Sequence, residues 1–336
     1  MLASRSACRS GRSTLSRSRA PRSWRRLPSS GGAADSSSAA AVRIRRRLCG
    51  RSGIGSPLLD VLATVALCLR IDTRVLKAAA RHLAALAPGR VAVAFGTGFA
   101  GARAMGARPS TWPYLRDYVQ TFRGLLRGRT VDWNGGRMCM LHPPGAAPSR
   151  PIDIPVLIAA LGPKGLAVAK ELAAGLFSVN GETEPAKDFT WAALGVHGTV
   201  LDEGEALDSP RVRAAAGPGN ALAYHAAYEF GGDVTRLPAG QVWLDIVNQA
   251  PERERHLAVF DQHLVALSQA DEAAWAAGSW AAVPTTTLTG SAAQLTERLA
   301  MIAEQGITEV VYQPTGPDIP RELEAFITAA CAVPVG

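Results

Sequence analysis

Three short turns are the segments best suited to chemistry. Gly96-Thr97-Gly98, Leu161-Gly162-Pro163-Lys164 and Gln313-Pro314-Thr315-Gly316-Pro317-Asp318 each follow an apolar run: Arg90–Phe95, Ile154–Ala160 and Ile307–Tyr312 respectively. Small residues let backbone N–H groups approach a ligand closely, and a helix starting just beyond adds partial positive charge, which suits a phosphate. Taken singly, each turn is as well explained by the backbone geometry that Gly and Pro satisfy. Three of them, each directly after an apolar strand, point to one shared ligand. Gly96, Gly98 and Gly101 also spell GxGxxG. That string needs a second strand with an acid about twenty residues on, and there the chain is inside a helix near Asp117.

Other side chains carry weaker signals. His197 lies in the strand segment LGVHGTV, where it faces either a pocket or the outer helices. A general base is one role for it, a hydrogen-bonded structural histidine the commoner one. Lys164 stands where a helix begins and could meet a phosphate, though an exposed lysine reads as naturally. His142, in a Pro-rich loop after Met138 and Met140, reads as lid or packing material. His225 and Tyr228 on one helix, and Trp243, Trp275 and Trp280, read as core or interface. Neither a Ser/His/Asp arrangement nor a metal-ligand cluster stands at a persuasive spacing.

The elements that must position the turns alternate between strand and helix. Leu67–Leu76 and Arg90–Phe95 have strand character, with a helix over Lys77–Ala87 between them closed by Pro88-Gly89. Trp112–Leu126 repeats apolar residues at helical spacing and stops at Gly128. Then come strand Ile154–Ala160, helix Gly165–Ala174, strands Gly175–Val179 and Thr190–Val200, and helices Arg211–Phe230 and Glu252–Gln269. Ser291–Gln305 is a helix with Ser291 and Gln294 placed as a capping box; strand Ile307–Tyr312 and helix Pro320–Cys331 follow. Repeated strand–glycine turn–helix units imply parallel strands with helical crossovers, in a closed barrel or an open doubly wound sheet. Without a dinucleotide fingerprint, the barrel is the expectation.

Composition sets the outer bounds. The net charge of +8 is misleading, because residues 1–50 hold twelve Arg, no Lys and only Asp35 as an acid, a local +11. Residues 51–336 are therefore at −3, which argues against a nucleic-acid-binding body. The longest apolar candidate, Leu58–Leu69, is too short to span a membrane and runs into Arg70, Asp72 and Arg74. Five scattered cysteines with no CxxC pair suggest reduced thiols in a cytoplasm. Residues 1–56, almost wholly Arg, Ser, Ala, Gly and Pro, show no apolar period. They read as a transit-type peptide, a disordered nucleic-acid-binding arm, or, preferred here, a mis-started or frame-shifted translation.

The segment APGRVAVAFGTGFAGARAMG (residues 87–106) resembles the strand and loop of the luciferase-like monooxygenase family. RPIDIPVLIAALGPKGLAVAKELAAGLF (150–177) is similar to its next strand, loop and helix, and GSAAQLTERLAMIAEQGITEVVYQPTGPD (290–318) to its final helix and strand. The resemblance covers about residues 57–330, leaving a leader (1–56) and a tail (331–336). It implies a (β/α)₈ TIM-type barrel binding coenzyme F420, the F420-using branch being the more similar, or alternatively FMN. Carried over by position, Gly96, Thr97 and Gly98 would lie against the tricyclic ring and ribityl chain. Ala160, Leu161, Gly162 and Pro163 would cradle the ribityl chain and phosphate. The implied activity is hydride transfer between F420 and a small organic substrate, with an FMN-dependent monooxygenase as the alternative and a homodimer as a compatible assembly. The chain departs from the family in two places. Phe99 stands where some sugar-phosphate dehydrogenases of the group carry an acid. The family's first strands have no counterpart in residues 1–56, so an incomplete barrel, and with it a non-catalytic remnant, is a further expectation.

Overall fold

A computed structural model describes residues 62–63, 84–85, 91–141, 148–172, 174–179 and 183–333. The chain divides into two units, residues 1–35 and 36–336, and all described residues belong to the second. The leader, most of the helix expected over Lys77–Ala87, the strand expected at Leu67–Leu76, and His142 lie outside the described residues. Among the described residues no helix is long and apolar enough to cross a membrane.

Six parallel strands form the main sheet: β1 (Leu62–Ala63), β2 (Ala92–Phe95), β5 (Val156–Ala159), β6 (Gly175–Ser178), β7 (Ala192–Val196) and β8 (Glu309–Tyr312). A hairpin, β3 (Val131–Trp133) and β4 (Gly136–Met138), stands apart from it. The sheet order β1-β2-β5-β6-β7-β8 follows the chain without reversal. A doubly wound sheet would reverse at a switch point and carry helices on both faces. Here right-handed crossovers, each moving the same way along the sheet, put the helices on one face only.

The packing bears this out. Val93, Phe95, Ile158, Leu176, Leu194 and Tyr312 are buried together with apolar residues of the crossover helices. Those helices are α2 (Trp112–Leu126), α3 (Pro163–Glu171), α9 (Ala292–Glu304) and α10 (Ile319–Cys331). The alternate strand residues Ala92, Ala94, Leu157, Phe177, Ala193 and Val311 form a separate cluster packed with Ala159, Val179 and Trp191, without a crossover helix. Strand side chains alternate between faces, so this second cluster is the face the sheet turns in on itself. Sequential order and one-sided helices are those of a TIM-type barrel. Among the described residues β1 and β8 end the sheet and do not pair with each other.

Local signals explain the helices. In α2, Leu115, Val119, Phe122 and Leu126 recur at three- and four-residue spacing and are buried, while the Thr111 side chain accepts from Tyr114 N–H. Its end at Gly128, φ 79°, is a left-handed stop. In α9 both halves of the capping box form: Ser291 Oγ accepts from Gln294 N–H and the Gln294 side chain accepts from Ser291 N–H. Between β7 and α9 lies a run of helices: α4 (Pro210–Glu229), α5 (Gly240–Gln249), α6 (Arg255–Phe260), α7 (Gln269–Ala276) and α8 (Val283–Thr286). Directly after β2 comes the short α1 (Phe99–Ala104), whose Ala100 and Ala104 pack on this helical group.

One expected helix is corrected. Glu252–Gln269 is a 3₁₀ turn, then α6, then an irregular stretch from Asp261 to Leu267 before α7 begins at Gln269. Gln262 and Leu264 have φ of 53° and 64°, and Ser268 with Asp271 makes a capping box that starts a new helix. Left-handed residues end a right-handed helix, and a box of that kind starts one.

Candidate active site

All three glycine turns follow strands of one parallel sheet, β2, β5 and β8, so all three lie at its carboxyl edge. Gly98 adopts φ 70° and ψ 39°, a left-handed conformation that glycine takes without steric cost, and it starts α1. A Cβ on Gly96 would sit 3.2 Å from the Ala159 Cβ, so the mouth between β2 and β5 is lined by the smallest side chains available. Thr97 O accepts from Ser110 N–H at 2.9 Å, which ties the turn to the chain leading into α2.

The second turn has the features a phosphate-bearing group requires. Gly162 is the N-cap of α3 and no side chain caps that helix end. A Cβ added at Gly162 would meet nothing within 4 Å, which leaves open space directly at the helix N-terminus. Pro163 presets the first helical φ. Gly165, one turn in, has no such freedom, since a Cβ there would come within 2.5 Å of the Trp112 ring and 2.6 Å of Ala160 Cβ. Ala160 is thus buried beneath α3 and offers a ligand at the mouth only its backbone. Leu161 and Lys164 are exposed beside Gly162. The glycine cradle, the uncapped helix end and the space above it fit a flavin-type phosphate.

The third turn differs. The Asp318 carboxylate accepts from Arg321 N–H and caps α10 itself. A helix end already holding a carboxylate disfavours a second anion, so this turn is less suited to a phosphate than the second. Its Pro314, Thr315, Gly316 and Pro317 line a cavity of about 380 Å³ together with Leu264–Leu267.

The remaining sequence candidates sort as follows. His197 follows β7 at the carboxyl edge; its Nδ1 is buried without a partner and burial lowers its pKa to about 4. Phe99 stacks on Phe230 with ring centroids 4.7 Å apart. Met140 is buried in the helix-side core and Met138 packs against it, as packing material. The tryptophans do not form a set: Trp243 is buried with Tyr224 and Phe260, whereas Trp275 and Trp280 pack in another cluster.

The structure also joins residues that the sequence did not connect. His225 Nδ1 and His263 Nδ1 are 2.9 Å apart, and His225 Nε2 is 3.2 Å from Asp271 Oδ1. Asp271 further accepts from Trp243 Nε1 at 2.7 Å and from Ser268 N and Oγ at 3.0 and 2.7 Å. Burial works against its ionised form, yet the hydrogen bonds from His225, Trp243 and Ser268 outweigh burial and hold its pKa below the usual Asp range. His263 is lowered to about 4, by burial first and then by the His225 and His197 rings, with Asp271 pulling the other way. His225 on α4, His263 in the irregular stretch and Asp271 on α7 come from three elements, so no sequence spacing could have announced them. The two left-handed residues flanking His263 are invisible in a sequence too, since neither is Gly or Asn.

The family model described as luciferase-like monooxygenase matches residues 59–309. No curated protein matches the sequence. Among solved structures, the chain is similar to an F420-dependent secondary alcohol dehydrogenase in complex with an F420–acetone adduct (15% identity, 80% of this chain and 78% of that one, TM-score 0.47). It is also similar to a coenzyme F420-dependent tetrahydromethanopterin reductase from Methanopyrus kandleri (14% identity, 76% and 77%, TM-score 0.48). A third is the oxygenating constituent of 3,6-diketocamphane monooxygenase from Pseudomonas putida, a type II Baeyer-Villiger monooxygenase, in complex with FMN (13% identity, 79% and 76%, TM-score 0.45).

Proposed function

The chain belongs to the luciferase-like monooxygenase family, and from that premise we propose that it is an oxidoreductase using coenzyme F420 to exchange hydride with a small organic substrate. The observation that carries this reading is the cradle at Gly162: an uncapped helix N-terminus, a glycine with free space above it, and the Gly96-Thr97-Gly98 turn on the neighbouring strand at the same edge. Gly162 and the first turn of α3 hold the phosphate end, through backbone N–H groups and the partial positive charge of the helix. Gly96, Thr97 and Gly98 leave room for a flat ring against β2, and Leu161 and Pro163 shape the passage between. Bound there, reduced deazaflavin supplies the hydride, and the protein supplies orientation and a dry pocket. The preference for F420 over FMN rests on overall similarity to the F420-using branch and on no single residue.

Fluorescence titration tests the reading. The Trp112 ring lies beside Gly165 in the first turn of α3, so it should report a ligand at Gly162. F420 is expected to change tryptophan emission with a micromolar Kd and FMN to bind at least tenfold more weakly. FMN binding the tighter of the two would move the chain to the monooxygenase reading, and neither binding would leave it no cofactor-dependent activity.

A further inference from the structure

Resting on the F420 reading above, we propose that His263 is the acid–base residue of this enzyme, set in one tautomer by His225 and Asp271 and working on a hydroxyl or carbonyl substrate at the mouth. The argument begins at the buried end of the chain. Asp271 is an ionised carboxylate surrounded by donors, so the His225 Nε2 beside it carries a hydrogen and donates. With the His225 hydrogen on Nε2 alone, its Nδ1 accepts, and the 2.9 Å contact is a hydrogen bond donated by His263 Nδ1–H. His263 is therefore the Nδ1–H tautomer, with its lone pair on Nε2. Among the described residues Nε2 has no hydrogen-bond partner. Asp271 and His225 are buried and His263 is half-buried, so the chain runs from the interior outward and ends in an uncommitted nitrogen.

Its segment lies at the carboxyl edge of β7 and β8. The next residue, Leu264, accepts through its carbonyl from Gln313 Nε2, and Gln313 follows directly on β8. Gln313 N–H in turn donates to Val196 O at the end of β7, and His197 is near enough to lower the pKa of His263. The segment is held there by two residues with left-handed backbone, Gln262 and Leu264, on either side of His263. Such conformations are strained for residues other than glycine and persist where surroundings enforce them, commonly at active sites. A chain of Asp, His and His that ends in a half-buried ring is not needed to fill space; apolar side chains would do that without three polar groups to satisfy.

The chemistry balances as follows. In the oxidative direction a bound oxidised deazaflavin would take the electron pair of the substrate's breaking C–H bond as hydride, a two-electron reduction. The O–H bond breaks, its proton passes to His263 Nε2, and the C=O bond forms. Asp271, through His225, offsets part of what burial costs the imidazolium so produced, and reduction of a carbonyl is the same step reversed. His225 and Asp271 act through His263 and are positioning residues.

Three measurements test the proposal. Long-range ¹H–¹⁵N correlation spectra of the histidine rings are expected to show His263 as the Nδ1–H tautomer, reverting to Nε2–H in H225F; an Nε2–H ring in the unaltered protein overturns the proposal. Diethylpyrocarbonate, which attacks neutral imidazole nitrogen, is expected to modify His263 at pH 7, mapped by peptide mass spectrometry, and saturating F420 to slow this at least fivefold. Modification undiminished by bound F420 would put His263 away from the mouth and overturn it as well. With F420 and a panel of 2-butanol, cyclohexanol, benzyl alcohol and their carbonyl partners, H263Q is expected to lose at least 100-fold in kcat with little change in F420 binding. D271N is expected to lose about tenfold in kcat at unchanged KM. H263Q within threefold of the unaltered enzyme, or F420 bound but no panel member turned over, sinks this proposal while leaving the cofactor reading standing. No F420 binding at all sinks that reading and the hydride step together.

Discussion

At the level of single residues, Gly162 and the buried histidines make the clearest demands. Gly162 has a φ of −102°, open to any residue, and free space where a Cβ would go. Its being glycine is thus not required by folding, and Gly162→Ala should change the unfolding free energy by no more than about 0.5 kcal/mol. A methyl at the helix N-terminus would nonetheless occupy the space proposed for the phosphate. We expect F420 to bind at least tenfold more weakly to Gly162→Ala at unchanged Tm, measured by titration and calorimetry. His197 and His263 give a pH signature. Their folded pKa values of about 4 lie below the ordinary 6.5, so between those values the unfolded chain binds protons that the folded one refuses. Stability is whole above pH 6.5 and is lost on acidification towards pH 4, by on the order of 3 kcal/mol per ring. Denaturant unfolding from pH 7 to 4 should follow that slope, and His197→Gln should flatten it.

Among the elements, α3 shows how closely a helix must sit to bring its N-terminus to the mouth. Gly165 lets it rest on the Trp112 ring and Ala160. Gly165→Ala should cost about 1–3 kcal/mol through overpacking, in spite of alanine's better helix propensity, visible as a lower denaturant midpoint. The contrast with Gly162, three residues away in the same helix start, separates a packing glycine from one facing open space. Periodicity revealed α2 end for end and the capping box revealed α9, because those signals are local. The hairpin β3–β4 was overlooked although Asn134-Gly135, both with positive φ, is a strong two-residue turn signal. The break at Asp261–Leu267 left less trace, since the apolar spacing continues through Val259, Phe260, Leu264 and Leu267 as though the helix did.

On the scale of the whole molecule, one buried ionic network ties distant segments together. Glu322, 3% exposed at the start of α10, accepts from Arg211 of α4 at 2.7 Å, from Arg321 at 3.1 Å, and from Thr199 beyond β7. Without Glu322, Arg211 keeps Glu205 and Arg321 keeps Asp202, so the loss is that of a buried acceptor for Thr199, about 1–3 kcal/mol. Glu322→Ala should therefore lower stability by that order and loosen the carboxyl ends of β7 and β8 together. Hydrogen exchange around Val196–Val200 and Tyr312–Thr315 would reveal it.

By itself the sequence determined the parallel α/β plan, the order of most elements and the three glycine turns, since strand alternation, helical spacing and turn chemistry are written within a few neighbouring residues. Which turn leads into an uncapped helix was decided only in three dimensions, because Asp318 caps its own helix while the α3 end stays uncapped. The Asp271–His225–His263 chain was likewise a product of folding alone. Hydrogen bonds of about 3 Å join side chains 38 and 46 residues apart, and no local pattern encodes a contact whose partners meet only after the helices have packed.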